Sequence, residues 1–154
     1  MLPLVERVYA LRAVPLFQDL GGEDLMKVAE IATQVEHAAG DVVFRKGDLG
    51  EVMFVIIGGR IAVRDGAREI SRLRPGEFFG ELAALDDEPR SADAICAEDA
   101  VLLRINGADL EELMDRRPEI SREIIRVLVR RLRLATVQMA AGPAGAAATS
   151  AAPT

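Results

Sequence analysis

The chain holds one cysteine, Cys96, and one histidine, His37. A lone cysteine closes no internal disulfide, and a lone histidine gives no cluster of the kind a metal centre needs. Long apolar runs are missing too. The first thirty residues lack the unbroken apolar stretch of a secretory signal, because Glu6, Arg7 and Arg12 interrupt them. The longest uncharged run, 134–154, is mostly alanine, glycine, proline, serine and threonine, too weakly apolar to enter a membrane. A cytoplasmic location is expected. Basic excess is also absent: the net charge of −6 repels nucleic acid and acidic membrane surfaces, so neither is expected as a partner. No nucleophile stands beside a base, which argues against an enzyme.

What is present fits one domain with short appendages, at 154 residues and 16.6 kDa. Apolar residues recur at helical spacing over 1–33, first as Leu4, Val8 and Leu11, then as Leu25, Val28, Ala29 and Ala32. Val14-Pro15-Leu16-Phe17 separates the two helices. Over 35–105 the period turns to alternation, and Gly40-Asp41, Lys46-Gly47-Asp48, Gly58-Gly59, Asp65-Gly66 and Pro75-Gly76 punctuate short strands. The run 52–57, VMFVII, is apolar on both faces and reads, with Arg60-Ile61-Ala62-Val63-Arg64 after Gly58-Gly59, as a hairpin whose first strand is buried on both sides. A mainly β fold follows, a jelly-roll barrel with flanking helices.

Helical spacing returns over 106–140. Asn106 is a candidate N-cap, Arg116 and Arg117 suit the negative end of that helix, and Pro118 suits the first turn of the next. The domain is expected to span 1–140, with 141–154 a low-complexity, disordered tail. On the last helix Ile125, Leu128, Leu132, Ala135 and Met139 make one stripe. Ile120, Ile124, Val127 and Leu134 make a second, interrupted by Arg131. One stripe covers the barrel and the other is free for a homodimer partner or for closing over a ligand. Arg126, Arg130, Arg131 and Arg133 read as a solvated helix face. Cys96 reads as a small buried residue.

The stretch 79–92, FGELAALDDEPRSA, carries the chemistry. Gly80 lets backbone approach a ligand, and the turn beginning at Glu81 presents free amides that attract phosphate. Arg90 adds a permanently charged fork matched to two phosphate oxygens, and Ser91 offers a hydroxyl. Glu81 would repel a phosphate, a conflict that disappears if the ligand also donates a hydroxyl, because an ionised carboxylate only accepts. A phosphate close to a sugar hydroxyl fits, as in a cyclic nucleotide. The bland alternative is a surface turn in which Arg90 pairs with Asp86 or Asp87, worth little if exposed.

At F-G-E-L-A-A-L followed by P-R-S-A the sequence resembles the cyclic-nucleotide-binding domain family of catabolite activator proteins, protein kinase A regulatory subunits and nucleotide-gated channels. The resemblance extends over 11–134. It implies that the amides of Gly80, Leu82 and Ala83 approach the phosphate, Glu81 takes the ribose 2′-hydroxyl and Arg90 pairs with the cyclic phosphate. It also implies that Ser91 helps choose the base, serine there being more usual with cAMP than with cGMP. In the family the last helix supplies a base or lid contact, for which Thr136 is a loose match. Among the acidic residues nearby, Asp86, Asp87, Glu88 and Asp93, one could hold Arg90 away from the ligand.

The expectation is therefore a ligand-sensing regulatory domain without a cofactor, signalling by movement of the cassette and last helix to an effector protein. A docking module that keeps the fold without sensing stays open. A DNA-binding segment is not expected, since glycine, proline and alanine follow Met139.

Overall fold

The computed structural model describes residues 2–86 and 88–140. Helix α1 (Leu4–Arg12), a single 3-10 turn (Pro15–Phe17) and α2 (Gly22–Ile31) lead into the strands. These are β1 (Thr33–His37), β2 (Val42–Phe44), β3 (Val52–Gly58), β4 (Ile61–Asp65), β5 (Arg68–Leu73), β6 (Phe78–Phe79), β7 (Asp93–Cys96) and β8 (Ala100–Asn106). Helix α3 (Glu81–Asp86) interrupts the strands, and α4 (Gly107–Arg116) and α5 (Pro118–Ala140) follow them. The expected tail, 141–154, lies outside the described residues.

The helix ends follow from local chemistry. Arg7 reaches across from α1, and its Nη1 donates to the carbonyls of Ala29 and Ala32 at 3.0 Å each, closing the C-terminal end of α2. Asn106 caps α4 as its position suggests, its Oδ1 accepting from the Ala108 amide at 2.9 Å. At the other end of α4, Arg117 pairs with Asp24 in the first turn of α2 at 2.5 Å. That pair fastens the two helical segments to one another.

The strands form two four-stranded antiparallel sheets, ordered β1-β8-β3-β6 and β2-β7-β4-β5. Among the described residues hydrogen bonding divides the strands into these two sheets, so the structure is mainly β with two antiparallel sheets and helices, compatible with the expected jelly roll. The hairpin expected across Gly58-Gly59 is not one. Strand β3 pairs with β8 and β6, whereas β4 pairs with β5 and β7. The glycine pair carries the chain from one sheet to the other, and Gly59 is needed there: its φ is +87° and a Cβ would stand 2.3 Å from the Asp99 carbonyl. The hairpin is instead β4–β5, around Gly66 at φ +63°.

Two apolar clusters explain why β3 is hydrophobic on both faces. Met53 and Val55 join Phe78, Leu103, Ile105 and the buried faces of the helices. Phe54 and Ile56 face the other way, into a cluster with Ile61, Val63, Leu73, Ala94 and Cys96 of the second sheet. Helices, first sheet and second sheet therefore stack as layers, with β3 in the middle. Period-two alternation in β6 splits its two rings between the clusters, Phe78 to the helices and Phe79 to the other sheet. Gly80 follows directly.

Candidate functional site

Gly80 turns the chain from β6 into α3 with φ +80°, a conformation a side chain would resist. A Cβ there would also stand 2.7 Å from Nη1 of Arg90 and 3.1 Å from the Val52 carbonyl. The first turn of α3 holds Glu81, Leu82 and Ala83, and the Gly80 carbonyl accepts from the Ala84 amide at 3.3 Å. At its far end α3 rests on Gly107 at the start of α4, where a Cβ would lie 2.5 Å from the Ala84 carbonyl. Backbone therefore touches backbone at both ends of this short helix.

Glu81 is fully buried. Its Oε1 accepts from Arg131 Nη1 of α5 at 2.6 Å, while Arg131 Nη2 donates to the Phe78 carbonyl at 2.5 Å and the guanidinium lies 5.2 Å from the Phe78 ring centroid. Burial pushes the Glu81 carboxyl up to about 7, against the fields of Arg131 and Arg90 and its own backbone amide, which favour the ionised form. Its second oxygen, Oε2, is buried with no hydrogen-bond partner among the described residues.

Arg90 is buried as well, 6% exposed. Its backbone is fixed on both sides: its amide donates to the Asp48 carbonyl and its carbonyl accepts from the Gly47 amide, each at 2.8 Å. The side chain runs inward, Nη1 donating to the Gly80 carbonyl at 3.0 Å, with Cζ 4.2 Å from the Phe44 ring centroid. Nε is buried without a hydrogen-bond partner among the described residues. Desolvation lowers the affinity of Arg90 for its proton, opposed by Asp48 and Glu81, yet a guanidinium stays cationic.

The structure brings Gly80, Glu81 and Arg90 together, with the backbone of Leu82 and Ala83 continuing from them and Ser91 exposed at the edge. Among the described residues no carboxylate forms an ion pair with Arg90. Asp93 Oδ1 accepts from the Lys46 amide and Asp86 Oδ1 from the Glu88 amide, and Asp87 lies outside the described residues. The exposed surface turn is thereby set aside, since Arg90 points into the protein.

Arg131 is what sequence reasoning missed. It belongs to no solvated face: Ile120 and Ile124 are buried, Val127 packs beside them, and Arg131 occupies the next position of that stripe with 13% of its side chain exposed. The interruption of an apolar stripe by one arginine was itself the signal, since a cation on a buried face needs a buried anion. Leu134 does not continue the stripe and is 63% exposed. Arg126 and Arg130 do face solvent, both pairing with Glu123. Thr136 is exposed and donates to the Leu132 carbonyl at 3.0 Å.

Chemically the site offers a buried carboxylate oxygen that lacks a donor and a buried guanidinium nitrogen that lacks an acceptor among the described residues. A ligand with a hydroxyl and an anionic oxygen satisfies both. No group of described residues could hold a metal ion, and none of the described helices is long and apolar enough to cross a membrane.

The cyclic nucleotide-binding domain model matches residues 34–117, over half of the chain, including Glu81 and Arg90 but stopping short of Arg131. A cyclic nucleotide-gated potassium channel of Rhizobium etli is 36% identical over 119 residues, 77% of this chain and 33% of the channel. A cyclic AMP receptor protein of Thermus thermophilus is 30% identical over 134 residues, 84% of this chain and 62% of the receptor. The crystal structure of the Thermus thermophilus catabolite activator protein superposes with a TM-score of 0.73 at 32% identity, covering 81% of this chain and 61% of that one. The chain thus spans less than two thirds of these relatives.

Proposed function

The chain belongs to the cyclic nucleotide-binding domain family, and from that premise we propose that it is a non-catalytic sensor of a cyclic nucleotide, cAMP in preference to cGMP. The observation that carries the reading is the pair of buried, oppositely charged side chains beside Gly80, with Glu81 Oε2 and Arg90 Nε unpartnered among the described residues. Arg90 takes the cyclic phosphate, assisted by the backbone amides of Gly80, Leu82 and Ala83. Glu81 takes the ribose 2′-hydroxyl, and Ser91 contributes to base choice. The preference for cAMP draws on Ser91 and on the likeness to a protein named as a cyclic AMP receptor.

Signalling follows from the second oxygen of Glu81. A ribose hydroxyl donating to Oε2 leaves Oε1 with Arg131, so ligand, α3 and α5 join in one hydrogen-bonded network. Residues 1–140 form one unit in this reading, a jelly-roll domain whose exposed Ile125, Val129 and Leu132 on α5 serve a homodimer. The output goes to an effector protein in the cytoplasm, and neither nucleic acid nor membrane is a partner. A second reading, a docking module that does not sense, draws on the same Arg131 contact, which already holds the carboxylate.

Thermal unfolding with cAMP, cGMP and 5′-AMP tests the proposal. A ligand at about a hundred times its dissociation constant stabilises by about 2.7 kcal/mol, a rise of roughly 5–10 °C for a chain of this length. The expected order is cAMP above cGMP, with 5′-AMP inert. Three unmoved midpoints at millimolar nucleotide would favour the docking module.

A further inference from the structure

The guanidinium of Arg90 passes between two glycines and a ring. A Cβ on Gly50 would stand 2.7 Å from Nη2, 3.1 Å from Nε and 3.2 Å from Cζ, and one on Gly80 would stand 2.7 Å from Nη1. The Phe44 ring supports the group at 4.2 Å from Cζ and is itself held in a triad, 5.9 Å from Phe79 and 6.1 Å from Phe54. Gly80 has a second reason to be glycine in its positive φ, but Gly50 lies outside that region, and the three atoms nearest to a Cβ there all belong to Arg90. Backbone conformation therefore does not demand glycine at 50. The room it leaves is used by the arginine.

We infer that Phe44 and Gly50 are positioning residues for the anion-binding arginine, together forming a slot that presets the orientation of its guanidinium before any ligand arrives. The inference rests on the assignment of Arg90 as the phosphate partner and adds what makes that partner effective. A fork must present two donors in one plane to two oxygens. A freely rotating arginine would lose part of its binding energy to ordering on each encounter. The ring face and the two bare Cα positions remove that freedom in advance. Lysine, with a point charge and no plane to stack, would not use the slot.

Two variants perturb it in opposite ways. Gly50→Ala fills the slot against the mobile end of a side chain, so the arginine yields and the fold is kept. Phe44→Leu removes the supporting face while keeping an apolar filler for the triad. Each is expected to weaken cAMP binding about tenfold, the equivalent of a stacked cation on an aromatic ring. In an Arg90→Ala background neither should weaken it further by more than about twofold, because residues that act through a deleted partner lose their effect. Full additivity in that background would mean a merely structural role and overturn the inference.

A second readout needs no ligand. In the 15N-labelled protein the Arg90 Nε–H signal should be displaced by the Phe44 ring current and slow to exchange, and both variants should return it toward the position of a free arginine. A wild-type signal already at that position would overturn the slot. Failure of the wild type to bind cAMP would count against the nucleotide assignment instead, with the resonance still deciding the slot.

Discussion

Replacing Arg131 with methionine removes the cation facing Glu81 while leaving an apolar stem against Phe78. Glu81 is fully buried and Arg131 only 13% exposed, so solvent screens the pair little. Removing one partner of a buried pair costs about 3–5 kcal/mol if the other must stay charged. Glu81 has a way out, since burial has already pushed its carboxyl up to about 7 and losing Arg131 pushes it further. At about pH 5.5 the carboxyl is neutral in both proteins, and the loss reduces to hydrogen bonds worth about 1–2 kcal/mol. At about pH 8 the wild type carries the ionised pair, and the loss should reach about 3 kcal/mol. Urea denaturation at the two pH values measures both. Adding Glu81→Gln to Arg131→Met should recover most of the difference at the higher pH. Equal losses at both pH values, or no recovery in the double variant, would refute the reasoning that the carboxylate and not the helix contact sets the cost.

Other consequences follow from the same geometry. The folded pKa of Glu81 lies above the ordinary carboxylate value of 4.5, so this group favours the fold most below about pH 4.5 and loses that contribution as pH rises toward 7. Binding of a hydroxyl donor runs the other way: only the ionised carboxylate accepts freely, so cAMP affinity should rise about tenfold from pH 6 to 8 and flatten in Glu81→Gln. Titrations across that range check it. Gly107→Ala should cost about 1–3 kcal/mol in denaturant melts, because its Cβ would meet the Ala84 and Glu51 carbonyls at 2.5 and 2.9 Å. Gly22→Ala, with nothing within 4 Å, should instead stabilise α2 by about 0.5–1 kcal/mol. Sedimentation should find a dimer in the wild type and a folded monomer after Ile125→Glu with Leu132→Glu, residues 58% and 62% exposed.

Much of this architecture was legible in the sequence wherever the cause is local. The Asn106 cap, the Pro118 start of α5 and the two-faced burial of β3 each depend on neighbours within a few positions. Glu81 and Arg90 were legible because their neighbours form a dense short pattern, and the structure brings them together through the Gly80 carbonyl. Strand partnership was not. Gly58-Gly59 looks like a hairpin turn, and nothing within it tells that β4 will be drawn away to β5 and β7 by the inter-sheet cluster. Arg131 was misread for a related reason, since its anion lies fifty residues away in sequence, on α3.

The most direct test of the central claim is calorimetric titration of cAMP into the wild type and into Arg90→Ala, at one protein concentration near neutral pH. The account predicts saturable binding at one nucleotide per chain in the wild type and a loss of about a hundredfold or more in the variant, as expected when a charged partner of a phosphate is removed from a buried site. Binding of equal strength in both proteins would place the nucleotide elsewhere. No heat in either at millimolar cAMP would contradict the sensor reading altogether.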